Sequence, residues 1–291
     1  MEINSCTVVI KQTALAQGGR PAQFAQRGDA TAKRILKADA SHQRTIEVVL
    51  KALQKRGIAC TEASLQKLNA KSKAQLAAAD LIVTIGGDGT ALGTSHFVTN
   101  GALLGVNSAP GDSVGHFCSV HSGNFAAQFD ALLNGQWRPT DLTRLAVALD
   151  DKPLPELALN DVLIAHDCPA ATTRYLIQLG EHGEEQRSSG IWISTAAGST
   201  AGIHSAGGRK MPLRSARLQY LVRELYREVH GGHQNEYQLE RGMIDHGVTL
   251  SIASKMPEGW LYIDGARTAY RFPFGTRATL RTADARLRLF L

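Results

Sequence analysis

The chain has 291 residues, of which 43% are hydrophobic and 20% charged, the balance of a globular protein with room for one large domain or two ordinary ones. The longest apolar runs, such as Leu81–Ile85, are strand-sized and far short of the roughly 20 residues that cross a bilayer, so no membrane partner is expected. A net charge of +6 suits anionic small molecules as well as nucleic acid; the basic residues are spread out and not interleaved with aromatics, which argues against nucleic acid.

The first segment, MEINSCTVVIKQ, lacks a basic stretch followed by an apolar one, so the cytoplasm is the expected location. Within it Cys6–Lys11 reads as a strand. Ser41 is placed to cap a helix running to Arg56, because Ile46, Val49, Leu50 and Leu53 recur at helical spacing and Gly57 then ends the pattern. Leu81–Ile85 and Ala102–Val106 read as strands, Ala91–Phe97 as a helix after a glycine turn, and Asn124–Leu133 as a short helix closed by Gly135. Alternating strands and helices imply a parallel sheet covered on both faces.

The character changes near Trp137–Thr140. Strand-like segments then dominate: Leu145–Leu149, Ala158–Ile164, Tyr175–Leu179, Gly190–Ser194, Val248–Ala253, Trp260–Ile263 and Arg286–Leu291. The exception is Ala216–His230, whose Leu218, Leu221, Val222, Leu225, Tyr226 and Val229 fit one helical stripe. The expected architecture is α/β: a Rossmann-like parallel-sheet domain over 1–138, then a strand-rich, mainly antiparallel domain over 139–291 whose last residues can pack back on the first. Four cysteines (Cys6, Cys60, Cys118, Cys168) form no C-x-x-C pair, which fits a reducing compartment rather than a disulfide framework or zinc ribbon. His230, His233 and His246 match no common zinc spacing, and no resident metal site is assigned.

Gly86-Gly87-Asp88-Gly89-Thr90 lies between a strand and a helix. Glycines there let backbone N–H groups approach an anion, and a helix N-terminus adds partial positive charge, so the turn is built for phosphate. No lysine follows in the Walker arrangement. Asp88 would repel phosphate unless it shares Mg²⁺ or takes a proton from an attacking hydroxyl; its bland alternative is a helix cap in a D-G turn. Further along stand Gly105-Val106-Asn107 leading into Ser113-Val114-Gly115-His116-Phe117, then Asn160-Asp161, then Ser194–Ala201 (STAAGSTA) followed by Ser205-Ala206-Gly207-Gly208. Runs of small hydroxyl residues allow the close contacts and short hydrogen bonds that a nucleoside pocket needs, although singly each segment also reads as a turn or a packing seam.

In this order, and with the late pair Asp264-Gly265, these motifs resemble the NAD kinase family over nearly the whole chain from about residue 41. GVNSAPGDSVGHFC (105–118) and Arg187-Ser188-Ser189-Gly190 are similar to the mitochondrial-type branch and its bacterial relatives. Ser189 stands where other members carry an acid on the nicotinamide side, and Gly202 where they carry a tyrosine. The resemblance implies transfer of a phosphoryl group from ATP or another donor to the 2′-hydroxyl of the adenosine ribose of NAD, giving NADP. It implies Asp88 as general base, Gly86, Gly87, Gly89 and Thr90 around the donor phosphates, and Asn160 and Asp161 on the adenosine half. Thr200, Ala201 and Ser205 then fall at the adenine and its ribose, with Arg187 near the substrate and Arg174 and His96 as lesser candidates. Mg²⁺ arrives with the nucleotide, and a homodimer is expected, with 216–230 as a candidate part of its interface. Lipid or sugar kinases sharing the GGDGT turn, and a non-catalytic NAD(P)-binding sensor, are the competing readings.

Overall fold

β1 (Ser5–Ile10) is buried at four consecutive positions, Cys6 to Val9, the mark of a strand covered on both faces. It pairs in parallel with β2 (Ala59–Ser64) on one side and β3 (Leu81–Gly86) on the other, and β3 pairs in parallel with β4 (Ala102–Asn107). The strand Leu287–Phe290 adds to β4, again in parallel, and the short β5 (Val120–His121) pairs with the end of β4. The carboxyl ends of β1, β3 and β4 therefore lie together, the edge where ligands bind open α/β sheets. The computed structural model describes residues 3–99, 101–111, 115–227, 229–230, 233–234 and 236–291.

Helices cover this sheet. After the short α1 (Gly19–Ala25), α2 (Ala30–Lys55) buries Val49 and Leu53 completely against Val8, Leu81, Val83 and Leu104, with Ile46 and Leu50 packed partly against them. Truncating a core leucine such as Leu53 costs about 2–5 kcal/mol. The helix begins well before Ser41, contrary to expectation. Asp29 is its cap, accepting a 2.8 Å bond from the Ala32 N–H, while most residues from 30 to 41 face solvent and display no apolar stripe. At the other end Gly57 adopts φ 70°, as a left-handed helix stop requires, and the Arg56 guanidinium grips Asp130 at 2.6 Å, tying α2 to α5 (Phe125–Leu133). Between them lie α3 (Ser72–Ala77) and α4 (Asp88–Ser95).

The chain divides into two compact units, Met1–Asp141 with Leu287–Leu291, and Leu142–Arg286. The second holds the two-stranded pair Val229–His230 with His233–Gln234 and two six-stranded antiparallel sheets. One runs His182–Ser188, Thr173–Leu179, Leu250–Ser254, Arg277–Thr282, Leu145–Leu149, Lys152–Pro153; the other runs Arg241–Ile244, Leu218–Arg223, Gly190–Ser194, Asp161–His166, Gly259–Ile263, Thr268–Arg271. Tyr175, Ile177, Ile252 and Leu280 from the first meet Val162, Ile164, Ile191, Ile193 and Leu261 from the second in one core. The described residues of 216–230 form no helix. Leu218–Arg223 is a central strand whose first five residues are all buried, and a short run buried on both faces looks the same in sequence whether helix or strand. No helix among the described residues is long and apolar enough to cross a membrane.

Candidate functional site

In the first unit, the glycine turn is the end of β3 and the start of α4. Asp88 is the first residue of α4 rather than part of a loop before it, so the helix starts earlier than Ala91. Its carboxylate does not cap the helix. One oxygen accepts the Phe117 N–H at 2.7 Å and the other the His116 N–H at 3.0 Å. Two backbone donors hold the group in a fixed orientation and leave each oxygen with further accepting capacity. Gly105 makes this possible, since a Cβ there would sit 2.1 Å from the Phe117 carbonyl oxygen. Asn107 is buried and accepts the Ala109 N–H at 3.0 Å, while Gly115 takes φ 72° as the chain returns toward Asp88. Ser113 and Val114, between these positions, lie outside the described residues.

Gly86 and Thr90 pack against each other, a Cβ on Gly86 falling 2.0 Å from Thr90 Oγ1, so glycine is obligatory for the helix to start here. Thr90 is buried, Gly87 half-buried and Gly89 exposed. Behind the turn, Ser108 N–H donates to the Gly86 carbonyl at 2.7 Å, and buried His42 bridges Ser108 Oγ (2.9 Å) and the Lys11 carbonyl (3.0 Å). Burial lowers the His42 pKa. Lys11 N–H bonds the Ile85 carbonyl at 3.3 Å, and Lys11 also lines a cleft of about 480 Å³ with Gln12, Glu62, Lys67 and Gln75. His96 sits at the far end of α4, about 12 Å along a helix of this length, and does not line the turn.

In the second unit, Asn160 and Asp161 lie where the strand Asp161–His166 begins, and the small-residue run folds onto them. Thr195 N–H and Ser194 Oγ donate to the Asn160 carbonyl at 2.9 and 3.1 Å, and Thr195 Oγ1 donates to the Leu159 carbonyl at 2.5 Å. Gly198 is required by the same closeness, because a Cβ would lie 2.1 Å from the Asn160 carbonyl oxygen. Thr200 ends a 3₁₀ turn and Ala201 leads into the short helix Gly202–Ser205, in which Ser205 is exposed. Asn160, Asp161 and the run 194–201 are thus one cluster.

Asp264, visible in sequence only as half of a D-G turn, organises that cluster. Its carboxylate accepts the N–H groups of Leu159 (2.8 Å), Asn160 (2.7 Å) and Asp161 (3.0 Å), and its own N–H returns a 2.9 Å bond to the Asp161 carbonyl. It adopts φ 51°, uncommon for a residue with a side chain. Burial, and then the charge of Asp264, push the Asp161 carboxyl up to about 7. Arg144, 1% exposed, supplies positive charge toward Asp264, and burial pulls its own pKa down to about 10. A single arginine ahead of a strand carries no signal of this role in sequence. Asn160 Oδ1 is buried without a hydrogen-bond partner among the described residues.

Arg187 and Arg174 are register partners on neighbouring strands. With Ser189, Glu224 and Tyr226 they line a separate cleft of about 360 Å³ whose walls do not include Asn160 or Asp161. Gly202 abuts Trp192, whose ring carbon would lie 3.2 Å from a Cβ at 202. An indole from the adjacent strand therefore stands beside the position that lacks the tyrosine. His246 bonds Thr282 at 2.8 Å, the side chains of His230 and His233 lie outside the described residues, and no group of three His, Cys, Asp or Glu among the described residues is placed to hold a metal ion.

A family model described as the ATP-NAD kinase N-terminal domain matches residues 23–137. A "Probable NADH kinase" of Oryza sativa subsp. japonica is 35% identical over 218 residues, covering 67% of this chain and 66% of the rice protein, just short of two thirds of its length. The "NADH kinase" of Arabidopsis thaliana is 31% identical over 235 residues, 73% of each chain. In fold, the chain resembles an NAD kinase from Archaeoglobus fulgidus in complex with ATP (TM-score 0.68, 16% identity, 99% of this chain and 93% of that one). It likewise resembles yeast NADH kinase complexed with NADH (TM-score 0.67, 15% identity, 98% and 83%). The fold, an α/β unit and a β-rich unit, and relatives named as NADH kinases together define the class of protein to which the chain is similar. The chain belongs to the NAD kinase family.

Proposed function

We infer that the protein phosphorylates the 2′-hydroxyl of the adenosine ribose of NAD or NADH, using Mg-ATP or another phosphoryl donor. The observation that carries this reading is the pairing of Asn160 Oδ1, a buried acceptor without a partner among the described residues, with the buried Asp161 carboxylate next to it. A buried acceptor left unmatched is costly, and the exocyclic amine of adenine is a donor that fits it. Ionised Asp161 accepts from two adjacent ribose hydroxyls and so orients the attacking oxygen.

Asp88 is the general base for that hydroxyl, and its two backbone bonds hold the carboxylate ready for the proton. The N-terminus of α4, with Gly86, Gly87, Gly89 and Thr90, receives the donor phosphates. Phosphoryl transfer asks mainly for positioning and charge neutralisation, which Mg²⁺ carried by the nucleotide supplies. Thr200, Ala201 and Ser205 border the adenosine, and Arg187 with Arg174 offers positive charge to an anionic part of the substrate. The names of the plant relatives favour offering NADH beside NAD.

A homodimer accompanies this reading. Leu163, Trp192 and Tyr262 are register neighbours on one face of a sheet whose opposite face is the core, and all three stay only half-buried. A second copy is the occupant that suits this face.

The test is formation of NADP or NADPH by the purified chain with Mg²⁺ and a panel of ATP, other triphosphates and polyphosphate. Product from sphingosine, diacylglycerol or fructose 6-phosphate, with none from NAD or NADH, overturns the assignment. Tight dinucleotide binding with no turnover from any donor makes the protein a sensor instead.

A further inference from the structure

Cys6 and Cys60 are far apart in the chain but stand directly opposite each other, as register partners on the parallel strands β1 and β2. Register partners of a parallel pair project to the same face, and adjacent strands lie about 4.7–4.9 Å apart. That spacing falls within the roughly 4.4–6.8 Å Cα separation that a disulfide bridges. Both thiols are free, and the two side chains interact directly. Cys6 is 2% exposed, whereas Cys60 faces solvent on the sheet's edge strand. Cys118 is buried, and Cys168 belongs to the other compact unit.

We propose that Cys6 and Cys60 form a redox modification site, in which an exposed thiol is oxidised by hydrogen peroxide and a buried thiol beside it closes a reversible disulfide. The division of labour follows from their surroundings. The neighbouring Cys6 draws the Cys60 thiol down and so favours its thiolate, while Cys60 and burial raise Cys6; the Cys60 S–H itself faces the Ile58 carbonyl at 3.4 Å. The Cys60 thiolate attacks the O–O bond of the peroxide, giving Cys60–SOH and hydroxide. The Cys6 thiol gives its proton to the departing oxygen as its sulfur bonds to that of Cys60, and water leaves. In sum, two thiols and one peroxide give one disulfide and two waters, and a dithiol reductant reverses the change. β1 also pairs with β3, which runs into the glycine turn, so the crosslink ties the sheet's edge to the strand beside the phosphate end.

The experiment treats the full chain with graded hydrogen peroxide, blocks remaining thiols with iodoacetamide and maps peptides by mass spectrometry without reduction. One linked pair, Cys6 with Cys60 within a single chain, is expected, reversed by dithiothreitol, with Cys168 still alkylated. Cys60→Ser should abolish the link and leave Cys6 reduced. Cys6→Ser should leave a sulfenic acid on Cys60 that dimedone captures. Because Cys60 is exposed, its serine variant tests the site without disturbing the core. Cys60 that stays reduced in the wild-type chain, passes to sulfinic acid without linking, or crosslinks two chains, overturns the proposal.

Discussion

His42 Nδ1 lies 2.9 Å from Ser108 Oγ, and through that contact a buried imidazole on α2 supports the start of the glycine turn. The other ring nitrogen faces the Lys11 carbonyl, which can only accept, so Nε2 carries the proton of neutral His42 and Nδ1 accepts from the Ser108 hydroxyl. Ser108 Oγ also stands 3.3 Å from the Gly86 carbonyl oxygen. A protonated His42 would donate from Nδ1 and turn the serine hydrogen toward Gly86 instead.

The pH dependence of stability follows. The folded-state pKa of His42 is depressed, by burial first and by the charge of Lys11, with the Lys11 carbonyl bond and Asp39 acting in the opposite direction. As pH falls below about 6.5, the unfolded chain binds a proton that the native state resists, so stability is lost toward acid and fully present above that value. The urea midpoint should fall between pH 7 and pH 5.5, and His42→Gln should flatten that slope. An equal slope in both proteins would remove His42 from this role.

Asp88→Asn should lower kcat by about 10²–10⁴-fold, the usual contribution of a general base. Dinucleotide affinity, measured by calorimetry, should change little, since Asp88 belongs to the turn proposed to take the donor phosphates. Unchanged kcat would show that the carboxylate serves only to hold the His116 and Phe117 amides.

For Asp161 the sign is opposite to that of His42. Its folded pKa is raised, so ionisation works against folding as pH rises from the unfolded value near 3.8 toward about 7. Asp161→Asn should therefore raise the melting temperature at pH 8 and lose that advantage below pH 4. The same variant should increase KM for NAD and abolish any rise of kcat/KM through an apparent pKa near 7.

Asp264→Asn replaces an acceptor of three backbone N–H bonds by a group with one accepting oxygen. Hydrogen bonds to a charged group contribute about 1.5–3 kcal/mol each. The expected result is a loss of stability of that order and a KM for NAD raised more than about tenfold, with a smaller change in kcat. An unaltered KM would show that the turn at Asn160-Asp161 holds its shape without Asp264.

Gly198→Ala tests the packing of the two motifs. A methyl group would meet the Asn160 carbonyl oxygen at 2.1 Å, against backbone that cannot move aside cheaply. Overpacking of this kind costs about 1–3 kcal/mol, and KM for NAD should rise because the displaced segment carries Asn160. Wild-type KM and melting temperature together would contradict the close approach.

Much of this was legible from the residues. Leu81–Ile85 and Ala102–Val106 are short apolar runs bounded by glycine, and each is a strand of the parallel sheet. The repeat at Val49 and Leu53 marked the buried face of α2, but the exposed turns before Ser41 show no periodicity, and their cap is a single aspartate. Leu218–Arg223 misled because burial on both faces erases the alternation that distinguishes strand from helix. Among the candidate residues, Asp88 and the Asn160-Asp161 pair stood out as carboxylates among small residues, whereas Arg144 and His42 did not, since their partners come from distant parts of the chain.

The sequence by itself determined the family, through the order of its motifs, and supplied the grounds for the proposed chemistry, a carboxylate beside a glycine turn. Local spacing suffices for those features because backbone amides and short side chains act within a few residues. Only the tertiary structure decided what holds them. Three amides came to Asp264, an imidazole came to Ser108, and a Cys60 thiol came to lie beside Cys6. Sheet register sets the first and the last of these meetings, and the packing of α2 on the sheet sets the other; register and packing are fixed by which faces are buried across the whole unit, a property that no local stretch of sequence contains.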